Sequence, residues 1–282
     1  MSEGVTGSMG WGGGVLRAAE SPAVSEEGGE WGRAALSKVP EVALGFWIIK
    51  ILATTLGETG GDALSMSLNV GYAVSTVIFF GLFLVLVVAQ IRAKRFHAFL
   101  YWAVIVGTTL AGTTMADFAD RSLGIGYPGG TAILFGLLVA SLVVWKLVVG
   151  TVSVNNIVTP KAEMFYWLTI LFSNTLGTAL GDWTSEGTGF GGGVFLFIGL
   201  IGVVAGLYFF TKISRTLLFW AAFILTRPLG ATMGDLLTKP HADGGLNMSR
   251  FVSSGIIAVF IVGCILLIPQ RAGSHPGAEG RG

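Results

Sequence analysis

Residues 46–65 read FWIIKILATTLGETGGDALS. The stretch opens on an aromatic pair and continues as an apolar run, yet Lys50, Glu58 and Asp62 sit inside it. Its spacing of Trp47, Thr54, Gly57, Gly61, Asp62 and Ser65 returns three times along the chain. The second copy is Trp102, Thr109, Gly112, Ala116, Asp117 and Asp120; the third is Trp167, Asn174, Gly177, Gly181, Asp182 and Ser185. The fourth is Trp220, Arg227, Gly230, Gly234, Asp235 and Thr238. Each copy lies in a segment long and apolar enough to cross a bilayer, where a carboxylate is costly and tends to be functional.

Outside the repeats, composition points the same way. Of the 282 residues, 52% are hydrophobic and 12% are charged, and the mean hydropathy is +0.75, well beyond the range of soluble domains. A net charge of +1 gives no argument for nucleic acid. The single cysteine, Cys264, lies in a hydrophobic run and has no internal disulfide partner. His97, His241 and His275 are scattered, so no soft zinc-type ligand set exists, no cofactor is implied, and any metal would be held by oxygen. Residues 1–40, rich in Gly and Glu, read as a flexible cytoplasmic leader without the apolar centre of a signal peptide. Residues 270–282 read as a polar cytoplasmic tail.

Between them the sequence predicts an all-α polytopic membrane domain, residues 41–269. Eight helices are expected near 42–64, 71–91, 98–119, 128–148, 164–183, 191–210, 217–237 and 250–268. They form four helical-hairpin repeats, about 41–92, 96–149, 162–211 and 215–269, because the second helices also repeat: Gly71, Gly126, Gly189 and Gly245 stand ten residues before Gly81, Gly136, Gly199 and Gly255. Lys and Arg fall twelve to three across the two sides, which puts both termini in the cytoplasm. An even number of spans makes the repeats parallel, with their symmetry axis along the membrane normal. Positions three, seven, eleven, fourteen, fifteen and eighteen after each Trp fall within about 60° of one direction on a helix. The first helices should therefore line a polar axis, and the second helices should face lipid.

Several features carry two readings. The small-x-x-x-small pairs, such as Gly57 with Gly61, permit close helix packing; alternatively they permit a break that exposes carbonyls to an ion. The four Asp residues either cap a following turn or hold a solute or proton. Lys50 and Arg227, on the inner face, are either a structural clamp with Glu58 or a charge-compensated gate. The four Trp residues read as interfacial anchors on the cytoplasmic side.

The segments Phe46 to Lys50, Thr54 to Asp62 and Thr226 to Asp235 resemble a bacterial family of membrane-anchored proteins made of a repeated domain of unknown function. The resemblance covers roughly residues 38–270. It implies a multi-spanning protein of the bacterial cytoplasmic (inner) membrane and brings no substrate with it. Gly57, Glu58 and Asp62 are also similar to the acidic Glu-x-Gly-Asp signatures of cation exporters, although only the first repeat has Glu at that level.

An enzyme is not expected. Intramembrane aspartyl proteases need a Gly-x-Gly-Asp element, and Thr59-Gly60-Gly61-Asp62 is the nearest approach. The expectation is a transporter moving a small inorganic cation or proton, with export of a divalent metal such as manganese favoured. Asp62, Asp117, Asp182 and Asp235 would coordinate the metal, Glu58, Thr54, Thr109 and Asn174 would relay it, and Lys50 and Arg227 would gate it. The alternatives are a structural or regulatory membrane scaffold and an anion pathway using Lys50 and Arg227. The expected partners are the ion and the lipid bilayer, with association into a homo-oligomer left open.

Overall fold

A computed structural model describes residues 36–157 and 159–274. Expectations for residues 1–35 and 275–282 lie outside the described residues. A strand β1 (Leu36–Pro40) leads into α1 (Leu44–Asp62), α2 (Tyr72–Arg92), α3 (Ala98–Asp117) and α4 (Tyr127–Val149). Then come α5 (Pro160–Phe210), α6 (Arg215–Thr238), α7 (Arg250–Leu267) and a closing strand β2 (Ala272–Ser274). Widened π-helical turns, Ala63–Ser67 and Phe118–Ser122, extend α1 and α3 directly after their Asp residues.

Seven helices therefore stand among the described residues where eight were expected. The difference is α5, in which two helical stretches meet directly at a kink at Gly189, with helix in place of the expected loop over residues 184–188. Thr184 and Thr188 donate back to the carbonyls of Leu180 and Thr184, at 2.7 and 2.9 Å, and sustain the turn. At Gly189 the backbone leaves helical geometry, with φ 69° and ψ 168°. Gly71 (φ 82°, ψ 160°) and Gly126 (φ 75°, ψ 155°), the residues from which α2 and α4 start, adopt nearly the same conformation. A residue with a Cβ is strained there.

Six of the helices are long and apolar enough to cross a membrane, as in a multi-pass membrane protein. The seventh, α1, fails that test through its own Lys50, Glu58 and Asp62. The helices sort into two kinds. α2, α4 and α7 present most of their apolar side chains to the outside, Val77, Phe135 and Phe260 among them, whereas α3 and α6 are largely buried.

The buried helices close into a ring: α1 packs on α3, α3 on α5, α5 on α6, and α6 back on α1. Close approach at each seam depends on a missing side chain. A methyl group added at Gly57 would overlap Thr109, at Gly112 it would meet the Asn174 backbone, at Gly177 it would overlap Arg227, and at Gly230 it would overlap Thr54. Each seam glycine thus receives the residue that sits seven positions after the next repeat's Trp. The helices run unbroken through these glycines, which is the packing use of the small-residue pairs. Hydroxyls fasten the same seams: Thr109 Oγ1 donates to the Ala53 carbonyl and Thr54 Oγ1 to the Thr226 carbonyl, each at 3.1 Å.

The outer helices are staggered by half a repeat. α2 packs on α3, α4 on α5, and α7 on α1, and the second part of α5 reaches α6 where Gly193 faces Thr232. An outer helix therefore leans on the inner helix of the following repeat. Ser141 with Thr169 (3.1 Å) and Ser254 with Thr59 (2.8 Å) are polar contacts across two of these pairings.

At the end of the ring nearest the termini, β1 and β2 pair antiparallel, so residues 36–40 form a strand rather than loose leader. Lys38 Nζ donates to the carbonyls of Gln90, Ile91 and Ala93, between 3.0 and 3.3 Å, and lies 2.7 Å from Glu163. It thereby answers the open carbonyls at the end of α2 and joins them to the start of α5. An aromatic layer lies above this sheet. Trp102, Trp167 and Trp220 are only 1%, 2% and 4% exposed, which corrects the reading of these residues as interfacial anchors. Phe46, Tyr101, Tyr166 and Phe219 stack among them, each one residue before a repeat Trp, and Tyr101 and Tyr166 share a 2.6 Å hydroxyl contact. Large aromatic side chains gain most by filling an interior; only Trp47 stays partly exposed.

Candidate functional site: an axis of buried charge

The inner helices present four successive levels to the ring axis, one helical turn apart. Beyond the aromatic layer lie Lys50, Ile105, Ile170 and Phe223, then Thr54, Thr109, Asn174 and Arg227. The third level is Glu58, Thr113, Thr178 and Ala231, and the fourth is Asp62, Asp117, Asp182 and Asp235. The most exposed of these sixteen side chains is Asp182, at 6%. At the first three levels a single repeat carries the charge, as Lys50, Arg227 and Glu58, whereas the fourth level is Asp in every repeat.

Lys50 is fully buried, donates to Asn174 Oδ1 at 3.3 Å, and holds its ammonium 4.2 Å from the centre of the Phe223 ring. A face-on aromatic ring partly replaces lost hydration for a cation. Asn174 is in turn oriented by donating to Thr108 Oγ1 at 2.7 Å.

Arg227 crosses the axis at the next level. Its Nη2 donates to Thr113 Oγ1 at 2.5 Å and to Thr178 Oγ1 at 2.6 Å, and both Nη atoms reach Glu58 Oε2 at 3.3 Å. Nη1 also contacts the Thr54 carbonyl at 3.5 Å. One guanidinium therefore touches the other three repeats at once. Its fan of donors suits that role better than a lysine's point charge would.

The four Asp residues do not form one uniform ring. Lys239 bridges Asp62 at 2.9 Å and Asp235 at 3.0 Å, while Arg250 adds a 3.5 Å contact to Asp62. On the other side Arg121 bridges Asp117 at 3.1 Å and Asp182 at 2.9 Å. Each bridging cation stands four residues after its own repeat's Asp, one helical turn away, and reaches across to the Asp of a neighbouring repeat. The site is thus a pair of carboxylate–cation–carboxylate clamps, one joining repeats one and four, the other joining repeats two and three. Burial lowers the ammonium pKa of Lys239, but Asp235 and Asp62 outweigh it and hold the group above its ordinary range.

The first clamp contains a further acid. Carboxylate oxygens of Glu58, Asp62 and Asp235 all lie within 4.8 Å of one another, an all-oxygen set of the kind hard cations prefer. Asp117 and Asp182 belong to the second clamp and stay apart from this group. Thr54 and Thr109 spend their hydroxyls on neighbouring backbone carbonyls, so they fasten helices. Ser65 and Thr238 bond back to the carbonyls of Gly61 and Gly234, each at 2.9 Å, so the residues after Asp62 and Asp235 continue the helical turn.

Sequence reasoning counted Arg121, Lys239 and Arg250 as flank charges on the sparsely basic side and did not place them at the site. The i,i+4 spacing of Asp117 with Arg121 and of Asp235 with Lys239 was the signal that could have found two of them. It also passed over Lys38 and Glu163, which are far apart in sequence and carried no local sign of meeting.

No curated protein and no solved structure matches the chain. A family model described as a Repeat of Unknown Function (DUF347) matches residues 45–96, 100–151, 165–214 and 218–269, one match on each of the four repeats that build the axis. The chain belongs to the family of proteins made from this repeat.

Proposed function

We propose that the protein is a non-enzymatic transporter of a small inorganic cation, with a divalent metal such as manganese the substrate that fits best. The observation that carries the reading is the approach of Glu58, Asp62 and Asp235 to within 4.8 Å, buried among the spanning helices and offering oxygen ligands alone. Lys239 lies between two of these acids as a tethered cation. In the proposed cycle the metal replaces the Lys239 ammonium between Asp62 and Asp235, and Arg227 and Lys50 block the axis beneath it until the charge balance changes.

The proposed topology has eight spans, with α5 crossing twice about Gly189, four parallel repeats, and both termini in the cytoplasm of a bacterial inner membrane. Arg121, Lys239 and Arg250, the three cations on the sparsely basic side, are all engaged with the buried Asp residues. That leaves the positive-inside bias stronger than a raw count gives.

A second reading has an observation of its own. Every repeat Asp is already paired with Arg121 or Lys239, which is what a non-transporting membrane scaffold would need to keep its acids tolerable.

One experiment separates the two. Flux of manganese into proteoliposomes, followed with an internal metal-sensitive dye, should vanish in Asp62→Asn and in Asp235→Asn while the variants remain folded. Undiminished flux when all four Asp are Asn would remove the Asp residues from the cation path and leave them a packing role; absence of flux in the native chain across a metal panel would favour the scaffold.

A further inference from the structure

Between α1, the second part of α5, and α6 lies a groove of about 620 Å³, open to the outside on the side of the ring that faces the terminal sheet. It runs along α6 from Arg215 to Thr226, which at the helical rise is roughly 16 Å, about half of a ~30 Å hydrocarbon core. Its walls are predominantly apolar, and its deep end at Thr226 lies beside the seam where Thr54 meets the Thr226 carbonyl. Ser153, Asn155 and Arg215 stand at the mouth; among the described residues Arg215 is the only charged one lining the groove, and no acid lines it.

Two further observations single this place out. Trp47 lines the groove and is partly exposed, whereas its three counterparts are buried. Arg215 is exposed and donates to the Tyr208 carbonyl with its guanidinium 4.2 Å from the centre of the Tyr208 ring. A preset basic group above a half-bilayer apolar slot matches a molecule with one negative head and a long tail.

We propose that the groove is a specific site for an anionic glycerophospholipid. One acyl chain lies along α6 toward Ala222 and Thr226, and the phosphate meets Arg215 with Ser153 and Asn155 at the mouth. The site wedges the seam between repeats four and one from outside, independently of what the axis carries. A bidentate guanidinium–phosphate contact is the geometry such a mouth favours.

The test is native mass spectrometry of the full chain in mild detergent, offered equal amounts of palmitoyl-oleoyl phosphatidylglycerol and phosphatidylcholine. The native chain should retain phosphatidylglycerol about tenfold more than phosphatidylcholine, the scale of a charge-assisted hydrogen bond. Arg215→Gln, an exposed substitution compatible with folding, should bring the two lipids to parity. Ala222→Trp and, separately, Ala205→Phe should reduce retention of both by filling the slot, while Val85→Trp on the exposed face of α2 should change neither. Equal retention of the two lipids by the native chain, or unchanged selectivity in Arg215→Gln, would overturn the proposal.

Discussion

Replacing Arg227 by Met should be among the most damaging single changes in this molecule, and a second change should repair it. The guanidinium is fully buried and is the main partner of Glu58, whose side chain is 3% exposed. Without it the Glu58 carboxylate keeps, among the described residues, only the Thr113 hydroxyl at 3.4 Å. Removing one member of a buried ion pair typically costs about 3–5 kcal/mol, because the remaining charge stays buried without its counterpart. Glu58→Leu alone leaves the guanidinium facing neutral acceptors, the Thr113 and Thr178 hydroxyls and the Thr54 carbonyl, and should cost a similar amount. The double variant has no orphaned charge and should come within about 1–2 kcal/mol of the native chain, the ordinary cost of a shape mismatch in a packed core. The coupling energy is then about 4 kcal/mol or more. Unfolding in mixed detergent and SDS micelles, followed by tryptophan fluorescence, measures all four corners of the cycle. Additive single effects, or single effects under about 1 kcal/mol as for exposed pairs, would refute the view of Arg227 as the bolt through four repeats.

Three other outcomes follow from the same geometry. Gly57→Ala should lose about 1–3 kcal/mol in that unfolding assay by forcing α1 off Thr109, while Gly81→Ala and Gly136→Ala, which meet nothing within 4 Å, should be neutral or gain up to about 1 kcal/mol. Lys38→Met should cost about 2–3 kcal/mol by stranding Glu163 and the carbonyls that end α2, and trypsin should then cut faster near residues 92–95. In a Cys264→Ala background, cysteines at Ser67, Gly124, Gly187 and Gly244 should be labelled from outside the cell by an impermeant thiol reagent and one at Ala93 should not; the reverse pattern would overturn the proposed orientation.

The repeat, the inner face and the pairing of Arg227 with Glu58 were legible because a fixed spacing projects onto one side of a helix whatever its neighbours do. The seam glycines were legible for the same reason, although choosing between packing and unwinding required seeing Thr109 and Arg227 fill the gaps. What escaped were contacts between repeats. Lys239 reaching Asp62, Arg121 reaching Asp182 and α2 leaning on α3 depend on the order of helices around the ring, which no local pattern encodes. The Trp residues were misplaced because their usual taste for membrane interfaces is weaker here than the gain from closing one end of a ring. The helical stretch that continues up to the kink at Gly189 escaped because the hydroxyl back-bonds of Thr184 and Thr188 look, in sequence, like the polar residues of a loop.

The half-repeat stagger makes the molecule a circle with a seam. Each packed helix pair is completed by a helix from the neighbouring copy, and the last outer helix, α7, returns to brace the first inner one, α1. The terminal strands meet at that same join. Where translation begins is therefore a matter of phase. Joining residue 274 to residue 36 through a short linker and opening the chain between α2 and α3 should regenerate the same circle as a circular permutant, now with α3 first and α2 last. A chain cut back by one whole repeat has no such recourse, because it would expose one inner helix without its brace and one outer helix without its seat.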